Sequence, residues 1–304
     1  MQLKKIMVTF KSGYITPLES DTLLWYVFAK SFEQLEPLFE KFEKGNPSFL
    51  FSTGLREGII PRPFMKTKET TKESLSLQKD LEKEVNKKKI KKTEWIKMEC
   101  ELFEKLMEWN PLEGEDLEKE KGSLNEIKTS VMKNSIPRFW SGETSPYGIE
   151  DVTYSQNGYA FFVKIEDEED FQKFFKEMQN ILLTIGWGKG VSRGFGKISQ
   201  CECVDLSDEE KKFFEYREKI RAQKNTYFVM NNYKPKEKEL EMIDFEKSYL
   251  QYLNKNTKTM GENVFKGNMK FIAPGSVIVF KESIEGVLWS YYQVEHSFNF
   301  WYLF

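Results

Sequence analysis

The sequence predicts an α+β protein with two units. Residues 1–205 run strand–helix–strand, an insertion, then strand–helix–strand, and residues 206–304 form a smaller strand-rich unit. Three observations lead there. Apolar residues recur at helical spacing in two stretches, Leu24 to Phe42 and Phe171 to Ile185, each flanked by strand-like segments. Between them, residues 66–122 become dense in Lys and Glu. The second helical pattern then runs into a glycine-rich stretch, Gly186 to Ile198, which reads GWGKGVSRGFGKI.

Taken in order, Leu3 to Phe10 alternates as a strand, and Gly13 and Pro17 mark a turn. Ser20-Asp21-Thr22 supplies N-cap side chains for one long helix from Leu23 to about Lys44, stopped by Gly45-Asn46-Pro47. Its apolar stripe is Leu24, Val27, Phe28, Phe32, Leu35, Leu38, Phe39 and Phe42. Asp21 is read as part of that cap. Ser48 to Ser52 is a second strand. In the following Gly58-Ile59-Ile60-Pro61-Arg62-Pro63 the prolines enforce an extended, exposed backbone.

The Lys87 to Lys92 run is offset by neighbouring glutamates, so the insertion is expected to be helical and solvated. Within it, Thr93 caps a helix with Trp95, Met98, Leu102, Leu106 and Trp109 on one face, ended by Pro111. That face must pack on the main body or on a partner. Leu124 to Met132 resumes a strand and enters Lys133-Asn134-Ser135-Ile136-Pro137-Arg138-Phe139-Trp140-Ser141-Gly142. Two cations, small hydroxyls and aromatics on an extended backbone suit phosphate contacts with base stacking, or simply a loop between strands. Gly158 to Ile165 is a buried strand. The acidic run Glu166 to Asp170 suits the positive end of the next helix, and Ile198 to Leu206 is the strand after it.

In the second unit, Ser207-Asp208-Glu209-Glu210 opens a charged helix to about Gln223 with a capping box. Thr226 to Asn231, Met269 to Ala273, Val277 to Phe280, Val287 to Val294 and Phe298 to Phe304 are strand-like, with Pro274-Gly275 turning between the second and third. The apolar ending, Phe298 to Phe304, calls for burial or an inter-subunit contact.

The totals narrow the function. The net charge is −2, so any nucleic-acid surface must be a local patch. Aromatic content of 15%, with 26 Phe, reads as packing. Cys100, Cys201 and Cys203 form no CxxC, and Cys201 and Cys203 share one strand face without closing a disulfide. They read as structural thiols in a reducing cytoplasm, with no metal site. No signal peptide and no membrane span are expected, so the compartment is read as cytoplasmic. The single histidine, His296, is read as structural, and no Ser/His/Asp set or His/Cys cluster is supported by spacing. The chain is therefore expected to bind and not to catalyse, with no cofactor.

The glycine stretch is where binding is expected. It holds Gly186, Gly188, Gly190, Gly194 and Gly196, interleaved with Lys189, Arg193 and Lys197. Glycine permits positive φ and close approach of another backbone, freed amides converge on anions, and nearby cations supply charge. A P-loop is excluded because no two of these glycines are five apart. A dinucleotide fingerprint is excluded because its third position falls on Arg193 or Ser199, and because such loops precede their helix while this one follows. Five glycines with three cations favour a loop that touches a phosphate backbone over a bare C-cap turn.

The stretch Gly186 to Lys197, of the form Gly-x-Gly-x-Gly-Val-Ser-Arg-Gly-Phe-Gly-Lys, resembles the RAMP superfamily of CRISPR proteins. There such a loop joins the last helix of a ferredoxin-like βαββαβ unit to its last strand. Ser20-Asp21-Thr22-Leu23 is similar to the start of that family's first helix. In the subfamily that binds the 5′ end of the guide RNA, a Leu-Pro-Lys-Pro stretch follows the second strand; Gly58 to Pro63 resembles it, with Arg62 at the basic position. Lys133 to Gly142 resembles the segment after the third-strand region, and Met269 to Phe280 a hairpin of the C-terminal domain. Together these resemble the subunit-four family of type III-A (Csm) effector complexes, across most of the chain outside 66–122 and part of 208–265.

The resemblance implies tandem ferredoxin-like (RRM-like) units, the second degenerate. It implies a scaffold that holds the crRNA 5′ repeat-derived tag between the large palm-domain (polymerase/cyclase-like) subunit and the first guide-covering backbone subunit. Gly186, Gly188, Gly190, Ser192, Gly194 and Gly196 would let RNA approach, and Lys189, Arg193 and Lys197 would neutralise phosphates. Lys133, Asn134, Ser135 and Arg138 would form a second wall, with Arg62 a further contact. Related backbone subunits cut RNA with an aspartate, which gives Asp21 a second reading. A type III-B assignment, a metal-independent RAMP endoribonuclease that processes crRNA precursors, and a protein-only structural subunit stay open at this point.

Overall fold

The computed structural model of the chain describes residues 2–64, 95–107, 126–135, 145–155, 158–258, 265–283, 289–294 and 297–302. The first part contains β1 (Gln2–Phe10), α1 (Ser20–Lys30), α2 (Phe32–Glu43), β2 (Phe49–Phe51), β3 (Leu55–Arg56), β4 (Ile59–Pro61), β5 (Trp95–Lys97) and α3 (Cys100–Met107). Then follow β6 (Glu126–Ser135), β7 (Ser145–Ser155), β8 (Tyr159–Ile165), α4 (Glu168–Thr184) and β9 (Ile198–Val204). The remainder is α5 (Asp208–Lys224), β10 (Thr226–Phe228), α6 (Glu237–Met242), β11 (Tyr252–Lys258), β12 (Phe265–Ile272), β13 (Val277–Val279), β14 (Trp289–Val294) and β15 (Ser297–Tyr302).

The central sheet has the order β2-β8-β1-β9, with β3 also on β8, and every pairing in it is antiparallel. Helices α1, α2 and α4 pack on one another beside this sheet. The sequence pattern for α4 is met closely: Asp167 caps it by accepting from the Asp170 amide, and its first turn is acidic. The expected single helix over 23–44 is instead two, turning at Ser31. The turn brings Phe28 to within 5.4 Å of Phe39 and 5.6 Å of Phe42 between ring centroids. In one straight helix, residues fourteen apart would be about 21 Å apart. Aromatic burial thus overrides local periodicity. Phe49 adds rings at 5.1 Å to Phe42 and 4.9 Å to Phe174.

The other face of the sheet is covered by α5, so β8 is buried along its whole length. Phe162 meets Phe214 at 4.9 Å. Around that contact the face is charged: Lys5 donates to Glu210 at 2.9 Å and Lys164 to Glu218 at 2.9 Å. Glu210 does two things at once. It completes the capping box with Ser207 at the start of α5, and it neutralises the buried Lys5. Burial, aided by Arg217, brings the Lys164 ammonium down to about 8. One hydrophobic cluster contains Ile6, Phe28 and Phe174 together with Phe213, Phe214, Phe228 and Val277, so α5 shares the first unit's core. A second cluster gathers Val229, Tyr233, Ile243, Ile272, Ile278 and Phe280.

Several expected elements form differently. Trp95 to Lys97 pairs with Ile59 to Pro61 as strands, so the insertion's helix begins at Cys100, not near Trp95. Its Phe103 is fully buried against Phe213 at 4.8 Å and Phe228 at 4.9 Å, which docks this segment on the main body. The Pro274–Gly275 turn is present with Gly275 at φ 91°, but its flanking strands do not pair with each other. β12 pairs with β11 and β13 with β10. Cys201 is buried, and burial pushes its thiol up to about 12, which keeps it protonated. Among the described residues, no helix is long and apolar enough to cross a membrane, and no group of His, Cys, Asp and Glu could hold a metal ion. Lys87 to Lys92, Thr93, Trp109, Pro111, Arg138, His296 and Phe304 lie outside the described residues.

Candidate nucleic-acid interface

The glycine loop is a folded object with an inner base and an outer tip. All five glycines are left-handed, with φ from 66° at Gly196 to 103° at Gly186. At the base, the Gly186 amide donates to Ile181 O, and the Gly186 carbonyl accepts from the Tyr26 hydroxyl at 2.9 Å. Trp187 is fully buried, donates its indole N–H to Thr16 O at 2.7 Å, and meets the Tyr26 ring edge-on at 5.5 Å. Its amide donates to Gly196 O at 2.8 Å, which closes the loop on itself. A Cβ on Gly196 would stand 2.0 Å from Trp187 O, so nothing larger fits.

The same base is laced to the turn after β1. The Gly196 amide donates to Gly13 O, the Lys11 amide to Lys197 O, and the Lys197 amide to Ser12 Oγ. A register shift at Thr9/Phe10 swings that turn beside the loop.

At the tip, Gly190 (φ 83°, ψ 12°) precedes a 3₁₀ turn over Val191–Arg193, and Gly194 (φ 91°) ends it. The amides of Lys189, Arg193, Gly194 and Phe195 are taken up inside the protein, by Thr16 Oγ1, Gly190 O, Val191 O and Gly190 O. Those of Gly190, Val191 and Ser192 donate to no described residue. A left-handed residue followed by a right-handed one turns three successive N–H groups toward one point, a concavity suited to an anion. Lys189, Ser192, Arg193 and Lys197 are exposed around it.

Beside the tip lies a groove of about 400 Å³, open to solvent. Lys11, Ser12 and Gly13 form one wall, Arg193, Gly194 and Phe195 another, and Tyr154 and Ser155 of β7 a third. The Arg193 guanidinium lies 5.6 Å from the Phe195 ring centre. Tyr154 is 42% exposed, a ring on which a base could stack.

No protein-family model and no curated protein matches the sequence. Among solved structures, a chain of the Csm3–Csm4 subcomplex in the type III-A CRISPR–Cas interference complex is similar to this one. The TM-score is 0.58 at 14% identity, over 93% of this chain and 94% of that one. A chain of the Csm1–Csm4 cassette in complex with AMPPNP gives 0.53 at 13% identity, over 100% of this chain and 96% of that one. The same cassette with cA4 gives 0.51 at 12% identity, over 100% and 95%. Csm4 is the component common to these assemblies. This chain shares its fold with chains of these Csm4-containing assemblies.

On this fold the expected site residues separate. Gly188, Lys189, Gly190, Ser192, Arg193, Gly194 and Lys197 lie at the accessible tip or its rim, whereas Gly186 and Gly196 are buried and shape the base. The Gly194 and Gly196 amides are already used within the protein. Lys133, Asn134 and Ser135 end β6, opposite Gly148, Pro146 and Ser145. Ser155, at the groove, is seven residues along β7 from Gly148, roughly 24 Å at the usual strand rise. The two expected walls thus mark opposite ends of one hairpin.

Arg62 sits on a different strap, where the Phe64 amide donates to Gly275 O at 2.8 Å. Burial depresses its guanidinium below the ordinary range, and its Nε is sealed from solvent without an acceptor among the described residues. Asp21 is 6% exposed, at the second helical position of α1; the N-cap residue is Glu19, and no side chain caps this helix. The capping role expected of Ser20-Asp21-Thr22 is therefore not made. Lys11, Ser12, Tyr154 and Phe195 were not singled out by sequence reasoning. The only local signal was Lys11-Ser12-Gly13 at a strand end, and Tyr154 joins the groove through tertiary pairing alone.

Proposed function

We propose that this chain is a non-catalytic RNA-binding scaffold subunit of a type III CRISPR effector complex in antiviral defence. In this reading it holds the 5′ repeat-derived tag of the crRNA, and it bridges the large palm-domain subunit to the guide-covering backbone. The observation that carries the reading is the open row of amides at Gly190, Val191 and Ser192, ringed by Lys189, Arg193 and Lys197 beside an aromatic-lined groove. That combination takes one phosphate on the backbone amides, its charge on the cations and a neighbouring base on Tyr154. The fold likeness to chains crystallised as Csm3–Csm4 and Csm1–Csm4 supports the choice of partners.

On the same reading, residues 1–205 are one ferredoxin-like (RRM-like) βαββαβ unit interrupted by the insertion at about 66–122, with β2 and β3 sharing the second-strand position. The C-terminal part is a reduced second unit that lends α5 to the first sheet. Arg62 offers a separate cation to the RNA, and Lys133–Ser135 meets the same strand farther along the β6–β7 hairpin.

A tagged pull-down from native cells at moderate salt, with sequencing of bound RNA, tests the proposal. Short RNAs with a constant 5′ end and variable remainder, together with a large partner protein, are the expected result. Heterogeneous RNA without a common end, or none, would overturn it. Cleavage of repeat RNA by the pure protein in EDTA, abolished by His296→Ala, would replace it with the nuclease reading.

A further inference from the structure

The turn Lys11 to Tyr14, which supplies one wall of the groove, is also the joint between the other two. On one side it holds the glycine loop through Gly13 O and Ser12 Oγ. On the other, Tyr14 and Thr153 exchange backbone hydrogen bonds at 2.9 and 2.8 Å, and this bridge fixes the base of the β6–β7 hairpin. Gly13 packs directly under it, since a Cβ there would meet Val152 and Tyr154 at 2.7 Å.

The joint has an anchor in the core. The Tyr14 side chain is buried, stacks on Phe10 at 4.4 Å and shares a hydroxyl–hydroxyl hydrogen bond with Tyr159. Tyr159 Oη in turn accepts from Arg56 Nη2 at 3.3 Å, and the Arg56 guanidinium lies 5.3 Å from the Tyr159 ring centre. Arg56 is 3% exposed. Guanidinium only donates, so Tyr159 accepts from Arg56 and keeps its own proton available for Tyr14. A buried polar chain of this kind is costly unless satisfied, and once satisfied it specifies one geometry.

We propose that Arg56, Tyr159 and Tyr14 form a positioning strut that sets the spacing between the glycine loop and the β6–β7 hairpin, and so the width of the groove for a nucleic-acid strand. None of the three contacts the ligand; each acts through the Tyr14–Thr153 bridge. The ligand part rests on the RNA reading above, and the strut itself does not.

The test is Tyr159→Phe, which keeps the ring and removes the hydroxyl, with Tyr14→Phe as a second variant should the first fail to fold. Hydrogen exchange at the Tyr14 and Thr153 amides is expected to accelerate by about tenfold or more, while amides within the β1–β8 pairing stay protected. With RNA bound, nuclease protection is expected to weaken at the nucleotides over the hairpin. The salt dependence set by Arg193 should stay as in the parent protein. Unchanged exchange at Tyr14 and Thr153 would overturn the strut, and so would uniform acceleration across the sheet. If the parent protein binds no RNA, the functional reading fails while the exchange measurement still decides the strut.

Discussion

Gly194 and Gly196 are two residues apart, and both are left-handed, yet they belong to different worlds. A Cβ on Gly196 would collide with backbone at 2.0 Å; one on Gly194 would meet nothing within 4 Å. The contrast divides the whole loop. Its inner part, Gly186, Trp187 and Gly196, is buried and hydrogen-bonded to α1, to Thr16 and to the turn after β1. Its outer part, Lys189 to Phe195, presents cations and a row of open amides. A motif that reads as uniform in sequence is half architecture and half surface, because only a rigid base can hold amides in place against their own conformational entropy.

Substitutions can break that contrast or sharpen it. The largest effect is expected from Gly196→Ala, which places a methyl against the Trp187 carbonyl at a positive φ. Loss of several kcal/mol, on the order of 3 or more, should appear as a lowered thermal midpoint or failure to fold. Next comes Trp187→Phe, which leaves the half-buried Thr16 O without the indole donor. About 1–3 kcal/mol in urea unfolding is expected. Both inner changes should act on stability first.

Arg193→Ala reverses the order. The thermal midpoint should hold, RNA affinity should fall, and the slope of log affinity against log salt should shrink by about 0.7 for one lost phosphate on a single strand. The smallest effect is expected at Gly194→Ala. The left-handed backbone costs about 1–2 kcal/mol, but the open space leaves RNA affinity near that of the parent. Affinity loss at Gly194 as large as at Arg193 would erase the distinction between open space and charged contact.

Much of the fold was legible. The α4 pattern, the Ser207–Glu210 capping box and the buried β8 strand are local signals, and each formed where the residues said. What was hidden depended on partners distant in sequence. Trp95-Ile96 looks helical until Ile59 and Ile60 offer a strand edge. β7 begins with Ser145-Pro146-Tyr147-Gly148, which carries no strand pattern of its own and is a strand across from Lys133 to Ser135. The turn at Ser31 answers to Phe28 meeting Phe39 and Phe42, a tertiary demand invisible in a helical wheel. In the candidate site, composition singled out this loop. It could not say that Gly194 and Gly196 spend their amides internally while Val191 and Ser192 keep theirs open, because amide direction follows from φ and ψ and not from residue type.

The most direct test of the outer tip as a phosphate site is an amide NMR titration of the full chain with a short single-stranded RNA. Gly190, Val191 and Ser192 should shift together and saturably, with Gly194 and Gly196 nearly still. Shifts confined to Gly194 and Gly196, or perturbation of the hairpin alone with a silent tip, would contradict the account.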